Sequence, residues 1–468
     1  MALSLGEFTS AVLPTLEKYA TVPCLSPAFD ADWESHGYLE SAIDLFAAWA
    51  KERHFAHHDV VVHRLPGRTP VLVVTIEATA PTSGTVLLYG HLDKQPPLGD
   101  WSEGLDPYVP VRRGNRLFAR GVADDGYAMF ASLLAIEELE RSGVPHARCV
   151  VLIEASEESG SPDLDAHLDA LADQLGNVEL MICLDSGALT YDRLWVTTSL
   201  RGVAVANVTV SVLERGQHSG SASGVVPSSM RILRQLLDRI EDAATGEILL
   251  PEFRANIPDS HVRAAAAVAA EFGDVAANEQ PFAPGVTPMG DSPAERILRR
   301  TWYPTLSYVG ADGFPPTAIA GNVLRPATTM ALSLRLPPNV NAAVACTALE
   351  RALTTDVPHN AVVTVEVDGA AGWVSPELAP WLRRALEEGS ERAFGKPVAF
   401  AGEGGSIPFL ASLGQRFPAV QFVATGVLGP NSNAHGIDEM LDLDCAVAVT
   451  NAMSHVIAAH AQRKDHAS

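Results

Sequence analysis

"VVLIEASEESGS", residues 150–161, is an apolar run that ends in two adjacent carboxylates, Glu157 and Glu158, before the chain turns at Gly160. A short continuous run of Val, Leu and Ile bounded by turn residues reads as a strand buried on both faces. Like charges side by side at the end of such a strand are either a solvated loop or the ligands of a multivalent cation. The neighbouring sequence repeats the pattern. "TPVLVVTIEA" (69–78), "GTVLLYGHLD" (84–93) and "VELMICLDSG" (178–187) are further apolar runs bounded by Gly, Pro or Asn. Between them lie helical stripes: Met129, Leu133, Ile136 and Leu139, with Gly143 as the stop, and then Leu164, Leu168, Leu171 and Leu175. Strands alternating with helices predict an α/β domain, layered around a mostly parallel sheet.

The pattern changes after "SLRG" (199–202). "VAVANVTVSVL" (203–213) alternates, with Ala206, Val208, Val210 and Val212 on one side and Asn207, Thr209 and Ser211 on the other. That is a sheet with one wet face. An amphipathic helix on Met230, Leu233, Leu237 and Ile240 follows. The strands "TLSYVG" (305–310) and "MALSLRL" (330–336), a helix through Val344 and Leu353, and the strand "AVVTVEVD" (361–368) complete the series. The order β-α-β-β-α-β predicts a ferredoxin-like α+β domain. Residues 243–304, rich in Ala, Pro and Asp, read as an insertion in it. The α/β character returns beyond about residue 370 with "PAVQFVATG" (418–426). The expected organisation is a discontinuous domain over 1–200 and 371–468, with a second domain, 201–370, inserted into it.

A chain of 468 residues has the length for two cores, and its 33 basic against 56 acidic residues give a net charge of −23. That balance repels phosphate backbones and anionic lipid surfaces, so neither nucleic acid nor membrane is an expected partner. Five widely spaced cysteines without a CxxC pair suggest free thiols in a reducing, cytoplasmic compartment. The opening stretch reads as an amphipathic helix and not as a secretory signal.

Chemistry gathers at the strand ends. "LLYGHLD" delivers His91 and Asp93, "VLIEASEE" delivers Glu157 and Glu158, "MICLD" delivers Asp185, and "FVATGVLGPNSNAHGIDE" (422–439) delivers His435 after a polar loop. "FARGVADDG" (118–126) sets Asp124 and Asp125 just before a helix. Any one of these alone has an ordinary reading: a satisfied polar histidine, a solvated acidic pair, a helix cap. Their joint position at strand C-termini, where open α/β sheets collect ligands, favours a common site.

"GHLD", "RGVADDG", "EASEESGS", "CLDSG", "SLRG", "QHSG", "EGGSIP" and "NSNAH" resemble, in order, the signatures of the carnosinase-like dinuclear metallopeptidases. That family includes bacterial dipeptidases, succinyl-diaminopimelate desuccinylase and carboxypeptidase G. The resemblance implies two divalent metal ions, zinc foremost with manganese or cobalt as substitutes. His91 and Asp185 would hold one, Glu158 and His435 the other, and Asp124 would bridge them. It implies Glu157 as general base, Asp93 as the partner that orients the His91 imidazole, and a cis peptide between Asp124 and Asp125. His218 of "QHSG" matches an oxyanion donor supplied by the opposite subunit of a homodimer. Arg335, Gly405, Ser406 and Asn322 match positions that contact substrate. Read on their own, His218 and Arg335 are equally ordinary polar strand residues. The implied activity is amide hydrolysis in dipeptides or short peptides by an exopeptidase. The alternatives are an N-acyl amino acid deacylase, desuccinylase or carboxypeptidase using the same site, and a non-catalytic binding module of the same fold. Two adjacent positions depart: relatives usually read Asp-Asp-Lys-Gly where this chain has Asp124-Asp125-Gly126-Tyr127. Tyr127 is expected to pack at the helix start, with the pocket wall as the other option.

Overall fold

The computed structural model describes residues 2–80, 84–405 and 408–463. Its main strands are β1 (His58–His63), β2 (Val71–Ile76), β3 (Thr85–His91), β4 (Arg148–Glu154), β5 (Val178–Cys183), β6 (Trp195–Leu200), β7 (Gly202–Ser211), β8 (Thr305–Asp312), β9 (Ala327–Leu336), β10 (Val362–Ala370) and β11 (Gln421–Ala424). The main helices are α1 (Leu5–Ala20), α2 (Tyr38–Lys51), α3 (Ala128–Arg141), α4 (Ser229–Leu237), α5 (Ala342–Thr354), α6 (Pro380–Phe394) and α7 (Leu443–Gln462). The chain divides into two compact units, one of 1–198, 375–400 and 412–468, the other of 199–374 and 401–411. The segment 401–411, which the sequence pattern assigns to the first domain, packs with the second. There Arg201 donates from Nε to the Gly404 carbonyl at 3.1 Å.

The large sheet of the first unit runs β1-β2-β4-β3-β5-β11-β6. Its centre, β4, β3, β5 and β11, is parallel. The flanks correct the mostly parallel expectation: β1 to β2, β2 to β4 and β11 to β6 are antiparallel pairs, so the sheet is mixed. Strand direction is set by the connection. A 56-residue crossover through α3 separates β3 from β4, long enough for parallel pairing, whereas β1 and β2 are joined by a short turn. Nothing in the apolar runs themselves distinguishes the two cases.

α1 begins with a capping box: Ser4 accepts from the Glu7 N–H while the Glu7 carboxylate accepts from the Ser4 N–H. It buries Phe8, Val12, Leu13, Leu16 and Tyr19. The stripe foreseen on α3 is buried, but so is nearly the whole helix from Ala128 to Ile136. Phe130 meets Phe46 and Trp49 of α2 edge-on, with ring centroids 5.1 and 4.7 Å apart. All five cysteines are free, and four are buried.

In the second unit the sheet order is β8-β9-β7-β10, antiparallel throughout. Ala204, Ala206, Val208 and Val210 of β7 face a core with Leu233 and Leu236 of α4 and Leu349 and Leu353 of α5. The stretch between α4 and β8 carries the helices Asp259–Phe272 and Pro293–Thr301. β8 is an edge strand, and Tyr308 and Val309 on it are exposed. No helix among the described residues is long and apolar enough to cross a membrane.

Phe130→Ala should destabilise the first unit by about 3–5 kcal/mol, because it deletes a buried ring and leaves a cavity under two others. Urea denaturation followed by tryptophan fluorescence, with Trp49 against the lost ring, measures it.

Candidate metal centre

The four parallel strands place their C-termini on one side of the sheet, and the polar residues beyond them converge. His91 is the last residue of β3. Its Nε2 lies 3.3 Å from Asp124 Oδ1 and 3.8 Å from Asp185 Oδ2. His435 Nε2 lies 3.0 Å from Asp124 Oδ2 and 3.3 Å from Glu158 Oε2. Asp124 therefore turns one oxygen to each imidazole. Two sets of donor atoms lie within 4.8 Å of one another: His91, Glu157 and Asp185, and His91, Asp124 and Glu158. Glu157 thus stands with the His91–Asp185 group, Glu158 with Asp124 and His435.

These residues fit divalent cations by their electrostatics. Four carboxylates crowd two imidazoles in a mostly buried space, a charge balance that calls for added positive charge. Burial, and then the nearby Asp185, pushes the Glu157 carboxyl well above its ordinary range; burial, and then Asp124, raises Glu158. The imidazoles respond in the opposite sense. Burial pulls His435 down, but hydrogen bonds to Asp124 and Glu158 outweigh it and lift it to about 11. His91 is likewise raised against burial by Asp124 and Asp93. Asp124, in turn, is lowered against burial by its hydrogen bonds to His435 and His91. The acids that raise the imidazoles favour any positive charge placed among them. Carboxylate oxygens with imidazole nitrogens form a donor set suited to zinc, cobalt or manganese.

Buried groups around the centre hold these side chains in place. His91 Nδ1 donates to the main-chain oxygen of Asp93 at 3.1 Å, which leaves Nε2 towards the acids. The Asp93 carboxylate is 3.5 Å from the same Nδ1, and its stronger contacts are the N–H groups of Glu157 and Glu158, at 3.1 and 3.0 Å. So Asp93 orients the acidic pair at least as much as the imidazole. Gln95 donates to Glu158 Oε2 at 2.7 Å. The peptide between Asp124 and Asp125 is cis. Gly90 lets that segment approach, since a Cβ there would lie 2.7 Å from Asp125 Oδ2.

Three further residues carry the frame without a signal in the sequence pattern. Glu439 is buried and accepts from the N–H groups of Gly121, Ala123 and Asp124 at 2.9, 3.0 and 3.2 Å. Arg120, also buried, pairs with Glu439 at 2.7 Å and donates to the Gly436 carbonyl, so the loop of Asp124 and the loop of His435 are tied together. Lys94 is buried and gives its ammonium to the carbonyls of Tyr19, Ala20 and Val22 at 3.0, 3.2 and 2.8 Å, at the end of α1. Tyr127 packs inside, fully buried, its hydroxyl donating to the Leu184 carbonyl at 2.6 Å.

The remaining candidates belong to the second unit. His218 is exposed, pairs with Val323 in a two-residue ladder, and accepts the Gly220 N–H on Nδ1 at 3.1 Å. Asn322 adjoins that ladder, and its carbonyl accepts from Ser219 at 2.9 Å. Arg335, on β9 opposite Thr305, is half-buried. Its positive charge, after burial, helps depress the neighbouring Arg201 to about 10. Gly405 follows the Gly404 that Arg201 holds, and Ser406 lies outside the described residues.

Two outcomes follow from this geometry. Replacing Glu439 with Ala should cost about 3–5 kcal/mol, because Arg120 is left as a buried charge without its partner; chemical denaturation checks it. Because protonated His91 and His435 must release protons to accept metal, zinc affinity should fall as the pH is lowered from 8 to 6 and rise in the reverse direction. Titration calorimetry in buffers of different ionisation enthalpy reads both the affinity and the protons released.

The sequence matches Peptidase family M20/M25/M40 over residues 87–459. It is 25% identical over 374 residues to a cysteinylglycine-S-conjugate dipeptidase of Corynebacterium striatum, covering 79% of this chain and 80% of that one. It is 26% identical over 404 residues to a Cys-Gly metallodipeptidase of Schizosaccharomyces pombe, covering 82% of each. The solved structure of the dipeptidase Dug1p from Saccharomyces cerevisiae superposes with a TM-score of 0.76 at 21% identity, over 99% of this chain and all of that one, which establishes a shared mixed α/β fold. With the match running from β3 almost to the end of α7, the chain belongs to the M20/M25/M40 peptidase family.

Proposed function

We propose that the chain is a metal-dependent dipeptidase, an exopeptidase that hydrolyses the amide bond of dipeptides or short peptides. The observation that carries this reading is Asp124 facing His91 with one oxygen and His435 with the other, with Glu157 beside the first group. The relatives named above act on cysteinylglycine conjugates and Cys-Gly, and dipeptides with a free carboxylate are the substrate class that follows for this chain.

In this reading His91 and Asp185 hold one divalent ion, Glu158 and His435 a second, and Asp124 is shared; zinc is the proposed occupant. Such ions, when bound, polarise a scissile carbonyl and acidify water. Glu157 takes the proton of the attacking water and passes it to the departing amine. Asp93 keeps Glu157 in place through the main chain. His218 of the opposite subunit of the proposed homodimer donates to the developing oxyanion. Arg335, with Gly405 and Ser406, takes the substrate's carboxylate, an arginine fork matching that group in two hydrogen bonds, and Asn322 makes a further polar contact to substrate.

The division of labour is a catalytic domain over 1–200 and 371–468, apart from the 401–411 segment that packs with the second unit, and a lid and dimerisation domain over 201–370. The proposal includes a homodimer formed through the latter. The edge strand β8, with Tyr308 and Val309 exposed, supports it, because an unpaired apolar edge invites a partner strand. A cytoplasmic setting suits the five free cysteines.

Glu157→Gln should retain metal and lower kcat by about 10²–10⁴-fold, the usual weight of a general base. His435→Ala should instead lose bound metal. A panel of dipeptides against N-acyl amino acids, with chelator and metal add-back, tests the class. Turnover of acyl amino acids alone, or activity indifferent to chelator, would overturn the reading.

A further inference from the structure

Glu154 ends β4 three residues before Glu157, and it is almost completely buried. No arginine, lysine or histidine pairs with it among the described residues. Instead three hydroxyls donate to it. Tyr89 of β3 and Ser161 share Oε1, the latter at 2.8 Å, and Ser156 reaches Oε2 at 3.3 Å. Ser156 and Ser161 are the two ends of one tight loop, closed by the Ser161 N–H donating to the Ser156 carbonyl at 3.0 Å. Between them stand Glu157 and Glu158. The loop is thus fastened from two sides: Asp93 takes its central N–H groups, and Glu154 takes the hydroxyls at both of its ends.

A buried carboxylate without a cation costs stability, and burial, opposed chiefly by the Tyr89 hydrogen bond, pushes this carboxyl up to about 7. An apolar residue at the end of β4 would close the sheet without that cost. What it would not do is receive Ser156 and Ser161 together, and so fix where the loop begins and ends.

We propose that Glu154 is a positioning residue for the hydrolysis: its carboxylate clasps the 156–161 loop at both ends and so sets the places of Glu157 and Glu158. The inference rests on the dipeptidase reading. Displacement of a proton carrier by about 1 Å costs up to about a hundredfold in rate, so Glu154→Ala should lower kcat by on the order of tenfold to a hundredfold at saturating zinc while KM changes little. Glu154→Gln keeps an acceptor oxygen for Tyr89 and Ser161 and should recover most of that loss. Ser161→Ala should lower kcat in the same direction, and the double variant Glu154→Ala/Ser161→Ala should be no worse than Glu154→Ala alone, because both remove one clasp.

The experiment is steady-state kinetics of these variants on the best dipeptide of the panel, with zinc affinity by calorimetry and thermal midpoints alongside. A residue that only stabilises the fold would shift the midpoint and leave kcat per folded, zinc-loaded molecule unchanged. Wild-type kcat in Glu154→Ala, a Gln variant as impaired as the Ala variant, or losses that multiply in the double variant would each overturn the proposal. If Glu154→Ala does not fold, Ser161→Ala with unchanged kcat overturns it. If the wild-type chain hydrolyses none of the panel, the dipeptidase reading fails, and the clasp is judged on zinc affinity alone: weaker binding in Glu154→Ala with recovery in Glu154→Gln supports it, and equal affinity in all three overturns it.

Discussion

Asp124 offers one carboxylate oxygen to His91 and the other to His435, at 3.3 and 3.0 Å, and the charge balance of the first unit's site turns on that shared group. Around it Glu157, Glu158 and Asp185 add three more carboxyls within a few residues of strand ends that are otherwise apolar. Such a cluster is stable only when positive charge enters it. Hydrogen bonds to these acids raise the proton affinities of both imidazoles although burial opposes this, so protons on them would supply part of that charge. Divalent ions perform the same service more strongly, and the geometry offers them two adjoining donor groups.

The cost of assembling like charges is met by the surroundings. Two of the loops that carry the acids, and the segment that follows His91, are each held by a buried polar contact. Glu439 collects the N–H groups of the Asp124 segment and is itself neutralised by Arg120, which reaches on to Gly436 beside His435. Asp93 collects the N–H groups of Glu157 and Glu158. Lys94 caps carbonyls at the end of α1 and lies 4.2 Å above the Tyr19 ring, fixing the segment after His91 against that helix. These are costly arrangements for stability alone, and they make sense where side chains must keep their positions against mutual repulsion.

The departure at Gly126-Tyr127 has a steric basis. A Cβ on Gly126 would lie 2.4 Å from Tyr19 Cε1 and 2.5 Å from the Gly121 carbonyl, so no side chain fits there. The positive charge beside this loop comes from another direction, since the Lys94 stem passes within 2.8 Å of where a Cβ on Gly121 would stand. Tyr127 turns inward to the Leu184 carbonyl. The altered motif therefore changes packing beneath the site and leaves Asp124 facing both imidazoles.

The amino-acid order alone determined which segments are strands and helices, that two kinds of sheet follow one another, and that His91, Glu158, Asp185 and His435 stand beyond apolar runs. Those properties are local: periodicity and turn residues within a dozen positions decide them. Only the tertiary structure decided that β3, β4, β5 and β11 run parallel while the flanking strands do not, and that loops far apart in the chain meet at Asp124. It alone revealed Arg120, Glu439, Lys94 and Glu154, because a buried charge is recognisable only by the partner that satisfies it, and each partner arrives from a different segment. Direction and partnership depend on long-range packing, which no short window of residues encodes.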